Sequence, residues 1–115
     1  MIERLQQSLQ AQSEALALRA WRQQVIASNI ANADTPGYRA VDFDFAAALE
    51  RALRAQGQAR LPRLVETPAA QPAADGNTVD LDTERAKFAD NALRYEVALR
   101  ALNGQIRTLL DAIRG

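Results

Sequence analysis

The sequence turns on residues 88–113, FADNALRYEVALRALNGQIRTLLDAI. Phe88, Ala92, Tyr95, Leu99, Leu102, Ile106, Leu109 and Ile113 recur there at alternating spacings of four and three. That is the a/d pattern of a coiled-coil seam, which keeps one apolar stripe facing a partner helix. Upstream, Asp80 or Asp82 can cap a helix start, and Asp82 and Glu84 suit the positive end of its dipole. Arg107 and Arg114 suit the negative end, and Gly115 follows. The spacing therefore predicts a helix from about Leu81 to Ile113, roughly 50 Å long. A helix of that length is marginal alone in water, so the seam needs a partner.

One partner lies at the other end of the chain. From Met1 to about Asn32, strong helix formers run without Gly or Pro. Ile2, Leu5, Leu9 and Leu16 follow three-four spacing, with Gln12 in the intervening slot. A second stripe of Leu18, Trp21 and Val25 takes over, followed by Ile26 and Ile30. The two terminal helices predict a mainly α fold, packed as a coiled-coil-like pair or bundle. A pair within one chain leaves much of each stripe wet, so further copies of the chain are expected to complete the packing. Leu5, Leu9, Leu16, Trp21 and Val25 are the candidate assembly residues on the first helix, and the eight seam residues are those on the second.

The middle is different. Val41, Phe43 and Phe45 alternate with Asp42 and Asp44, a short strand-like pattern. Ala46 to Ala55 can form a short helix with Leu49 and Leu53 on one side. From Gln56 to Asn77 the chain carries Gly57, Pro62, Pro68, Pro72 and Gly76 and few large apolar residues, a composition expected to stay flexible until a partner orders it. The chain thus divides into an assembly helix over 1–32, a linker region over 33–80 with a turn, a short strand or helix and a flexible segment, and an assembly helix over 81–115.

The first helix ends on Ala27-Ser28-Asn29-Ile30-Ala31-Asn32-Ala33-Asp34-Thr35-Pro36-Gly37-Tyr38. Pro36 disfavours helical geometry at Thr35, so the helix stops before it. Thr35-Pro36-Gly37-Tyr38 has Pro second and Gly third, the signature of a type II turn. Asn29 and Asn32 share a helix face. Their amides can bond the last carbonyls or a neighbouring backbone, and close contact with another chain is one reading of so many small polar residues.

Composition narrows the chemistry. The 115 residues suit one domain, and 14 basic residues balance 14 acidic ones. No basic patch stands out, which argues against nucleic acid as a partner. Cysteine and histidine are absent, removing thiolate metal sites and the commonest general base. Ser8, Ser13 and Ser28 therefore have no His to activate them. Asp42 and Asp44 would share one face of a strand, where a solvent-facing edge is favoured over acid–base work. The run Asp75–Asp82 fails calcium-loop spacing, with Val79 at a ligand position and Ala86 where the bidentate Glu belongs; a turn feeding a helix cap fits better. Lys87 is read as an exposed helix lysine, and Trp21 and Tyr95 as packing residues. No catalytic, cofactor-binding or metal site is expected. The N-terminus has neither the basic n-region nor the apolar h-region of a secretory signal, and no apolar run is long enough to cross a bilayer.

The run Ser28-Asn29-Ile30-Ala31-Asn32, followed by Asp34-Thr35-Pro36-Gly37-Tyr38, resembles the N-terminal signature of flagellar rod and hook proteins. Arg39–Phe45 continues it. Gly76–Asp82, Glu84-Arg85-Ala86, Asn91–Glu96 and Leu102–Ile106 resemble the family's C-terminal part. The likeness covers about residues 1–55 and 75–115 and is strongest to the short proximal members of the basal-body rod. It implies a structural subunit, not an enzyme. Such a subunit passes through the flagellar type III export apparatus without a cleaved signal peptide. It polymerises through its terminal helices into the periplasmic rod and transmits torque. Copies of itself, other rod proteins, and the inner-membrane ring and junction protein at the rod base are the implied partners. The rival reading is a free-standing helical adaptor or secretion chaperone.

Overall fold

A computed structural model describes residues 1–55, 58, 61–68 and 73–115. The chain forms α1 (Ile2–Ala31), β1 (Val41–Asp42), α2 (Phe45–Ala55), β2 (Val65–Glu66) and α3 (Leu81–Arg114). The two terminal helices lie antiparallel as a hairpin: Glu84 meets Asn29 near the hinge, and Gln105 meets Ser8 towards the tips. The molecule measures 64 × 25 × 17 Å. Both long helices fall within a residue or two of the bounds that periodicity predicts.

Caps explain where the helices begin. The Asp80 side chain accepts from the Thr83 N–H and starts α3. That bond to the Thr83 backbone holds the Asp80 carboxyl below its ordinary range. The Asp44 carboxylate accepts from Ala47 N at 3.1 Å and starts α2 at Phe45, a residue earlier than the alanine run suggests. Phe45 is therefore helical, and β1 spans two residues, not the Val41–Phe45 alternation. It pairs antiparallel with β2, Val41 opposite Glu66 and Asp42 opposite Val65.

The apolar core sits at mid-length of α1, where Leu18 and Val25 pack against Phe43, Ala48 and Ala52. Trp21, Phe45 and Leu49 close around it. On α2 the buried positions are the small Ala48 and Ala52, whereas Leu53 is exposed. Two alanines let α2 lie close to α1, and the Arg19 guanidinium sits 3.7 Å over the Phe45 ring. Beyond this core the hairpin arms thin out: Met1, Ile2 and Ile113 are largely exposed.

Within the stretch 56–77, read from composition as flexible until a partner orders it, some residues are bonded to the rest of the chain. Residues 56, 57, 59, 60 and 69–72 lie outside the described residues. Val65 and Glu66 form β2, and 75–78 are tied into the hinge: Gly37 N donates to Asp75 O at 3.0 Å, and Thr78 N to Tyr38 O at 3.0 Å. The ordering partner of these residues is the hinge of the same chain.

Candidate functional site

The signature residues form the hinge. Asn29 has no exposed surface, and its amide is fully used within the chain. Its Nδ2 donates to Val41 O at 2.7 Å and to the Glu84 carboxylate. Its Oδ1 accepts from the Tyr38 hydroxyl and from Val41 N, both at 3.1 Å. One side chain thus joins α1, the turn, β1 and α3. Contact with another chain is not what Asn29 serves. Asn32 reaches back to Ser28 O at 2.8 Å and accepts from the Thr35 hydroxyl. Ser28 and Ala31, on the outer side, stay exposed.

The Thr35–Tyr38 turn is closed by Tyr38 N donating to Thr35 O at 3.2 Å, with Gly37 at φ +74°. Gly76, at φ +82°, faces it: a Cβ there would lie 3.7 Å from the Gly37 Cα. Next to Gly76, the buried Asn77 amide donates to three carbonyls, those of Asn32, Ala33 and Thr35. Helix ends leave such carbonyls without partners; here a residue more than forty positions away supplies the cap. Gly37→Ala should cost about 1–2 kcal/mol, since the left-handed conformation alone penalises a Cβ and nothing crowds it. Denaturant unfolding measures this, and an unchanged midpoint would refute the strained-turn account.

Below the hinge lies an ion-pair network. Asp42 accepts from Arg22 Nε and Nη2 at 3.1 and 3.0 Å, from Phe43 N at 2.8 Å and from Lys87 at 3.3 Å. Lys87 also pairs with Glu84 at 3.1 Å. Asp42 is therefore neither a solvent-facing carboxylate nor the mate of Asp44, and Lys87 is half-buried rather than exposed. Burial by itself raises the Asp42 pKa, but Arg22, the Phe43 N–H and Lys87 together outweigh it and hold the carboxyl below its ordinary 3.8. The Asp42 contribution is thus fully present above that value and is lost as pH falls through the lower folded value. Asp42→Asn should flatten the acid side of the stability curve and cost about 2 kcal/mol at neutral pH. That is less than for a fully buried pair, because Arg22 and Lys87 keep some contact with water. A titration of unfolding free energy from pH 7 to 2 checks both parts; an acid limb identical to wild type would refute the assignment.

The α1–α3 contact is polar at intervals. Asn91, fully buried, donates to Arg19 O and Gln23 Oε1, both at 2.8 Å, and Gln105 donates to the Ser8 hydroxyl at 3.3 Å. Glu84, Lys87, Asn91, Ala98, Leu102, Gln105 and Leu109 make the inner face of α3. The apolar seam shares Leu102 and Leu109 with that face, while its other six residues are centred roughly 70° away, at 100° per residue. Tyr95, Leu99, Leu102 and Leu109 are half-buried on its edge, whereas Phe88, Ala92, Ile106 and Ile113 are exposed. On α1, Val25 is buried and Leu5, Leu9, Leu16 and Trp21 are half-buried. Among the described residues, Gln12 Oε1 and Trp21 Nε1 are buried without a partner. Heptad counting missed Glu84, Lys87, Asn91 and Gln105 because it counts apolar residues only; their own three-four spacing was the available signal.

A chain that concentrates its buried polar bonds at a hinge and leaves apolar flanks on two long helices is made as a structural building block. The comparisons with known proteins agree. A family model described as flagella basal body rod protein matches residues 9–39. The flagellar basal body rod protein FlgB of Escherichia coli (strain K12) is 43% identical across 99% of this chain and 98% of its own length. That of Salmonella typhimurium is 42% identical across 100% and 99%, and that of Cereibacter sphaeroides 40% across 90% and 91%. The chain belongs to the flagellar basal body rod protein family.

Proposed function

We propose that this chain is a proximal rod subunit that passes through the flagellar type III export apparatus and assembles in the periplasm. Its hinge sets the angle and register of the two terminal helices, and neighbouring subunits cover the apolar flanks that the hairpin leaves open. Segments 1–32 and 81–115 act as assembly helices and 33–80 as the hinge and linker. The rod so formed carries torque, with the inner-membrane ring and junction protein beneath it. The observation that carries this reading is the offset between the polar inner face of α3 and its exposed seam: the helix is already paired, yet its best coiled-coil stripe is half open. A rod must resist twist, and a hairpin whose register is fixed by buried polar bonds resists sliding between its helices.

Complementation tests it. In a motile bacterium lacking its own homologue, expression of this chain should restore swimming, and the chain should sediment with purified basal bodies. Restored swimming with the chain confined to the cytoplasm would support the rival reading of a secretion chaperone.

A further inference from the structure

Among the described residues, every member of the apolar core lies between Leu18 and Ala52, and none comes from α3. The two buried residues of α3, Glu84 and Asn91, are both polar. Much of the hinge closes without that helix: Asn29 holds Val41 and Tyr38, and Asn77, which precedes α3, holds the carbonyls after α1. What fastens α3 is a half-buried apolar edge and a series of polar contacts. At the hinge end these are ionic, where Lys87 meets both Asp42 and Glu84.

We infer that this cluster is an acid-sensitive latch, and that opening it lets α3 leave as a unit while the Leu18–Ala52 core stays packed. Asp42 stands between two cations from different helices, Arg22 of α1 at 3.0 Å and Lys87 of α3 at 3.3 Å. Glu84 is the second carboxylate on Lys87, and Val65, opposite Asp42 on β2, brings no charge. While Asp42 is ionised it bridges Arg22 and Lys87. Once protonated, it leaves two like charges facing each other across the α1–α3 boundary, where partial burial weakens screening by salt. The core loses nothing by that proton, because its contacts are apolar. Burial opposes ionisation of Asp42, but Arg22, the Phe43 N–H and Lys87 outweigh it and hold the carboxyl below 3.8. The latch is therefore shut at neutral pH and opens as pH falls below that value. Proteins open locally in contiguous units, and those with few buried apolar contacts open first. The latch acts in the free chain and does not depend on assembly.

Segment-resolved amide exchange on the full chain at pH 6 and pH 3 reads the opening, each rate being compared with its intrinsic value at that pH. Protection over Lys87–Leu102 should fall by at least about tenfold more than protection over Leu18–Asn29 and Ala48–Ala52. An equal fall in all of these segments, or no fall in α3, would overturn the latch. The Asp80 cap that starts α3 also weakens in acid, since its bond to Thr83 needs the carboxylate. Lys87→Met separates the two causes, because it keeps the cap and removes the charge that faces Arg22. In that variant the fall in α3 should come within about twofold of the fall in the core. An undiminished fall in Lys87→Met would assign the acid response to the cap and overturn the latch.

Discussion

Asn29→Ala is expected to lower the stability of the chain by about 3–5 kcal/mol, since each buried group left without its partner costs about 1–3 kcal/mol. The substitution strands Val41 N–H and C=O, the Tyr38 hydroxyl and one Glu84 oxygen together. Glu84 is 2% exposed, so water cannot readily replace the amide. Such a loss is a large share of the 5–15 kcal/mol that holds a typical domain together. The isosteric Asn29→Asp should do no better. It cannot donate to Val41 O or Glu84, and it sets a second carboxylate against the first. Denaturant unfolding of both variants is the measurement. A loss under about 1 kcal/mol in both would mean that the hinge is held by packing and that this amide is dispensable.

Ile106→Asp should act on a different level. Ile106 is 40% exposed and lies on the seam flank, away from α1. An aspartate there meets water in the free hairpin, so the unfolding free energy should stay within about 1 kcal/mol of wild type, as is usual for surface changes. In the rod the same carboxylate would be buried against a neighbour without a counter-ion, at several kcal/mol per contact. Assembly and swimming should fail. Leu102→Asp is the contrasting variant: Leu102 lies on the inner face, and its replacement should loosen the hairpin itself. Leu99→Asp falls between the two, because Leu99 is half-buried. Normal basal bodies from Ile106→Asp would remove the seam flank from the subunit interface.

Much of the architecture was legible because its causes are local. Apolar spacing and the lack of Gly or Pro mark α1 and α3, Asp80 marks a cap, and Pro36-Gly37 marks a turn whose geometry only a few residues satisfy. The hinge was less legible because its causes are distant. Asn29 finds Glu84 55 positions away, and Asn91 finds Arg19 72 positions away. Nothing in the neighbourhood of an asparagine says which backbone group it will satisfy. The seam is only partly used within the chain for a related reason. Eight residues at heptad spacing suggest one face, but the hairpin takes only Leu102 and Leu109 of it together with a neighbouring set of polar residues that bond across to α1. Asp42 shows the same effect on a smaller scale: in its local sequence it reads as strand-edge decoration, and only the fold brings Arg22 and Lys87 to it.

The Asn77 cap also bears on how this chain can change length over evolution. It fastens the stretch before α3 to the end of α1, so β2 and Asp75 are each held in place whatever the number of residues between them. The entropy of closing a chain between two fixed ends grows only logarithmically with its length, and doubling the length costs about 0.6 kcal/mol. The segment can therefore gain or lose residues while the angle and register of the helices stay fixed.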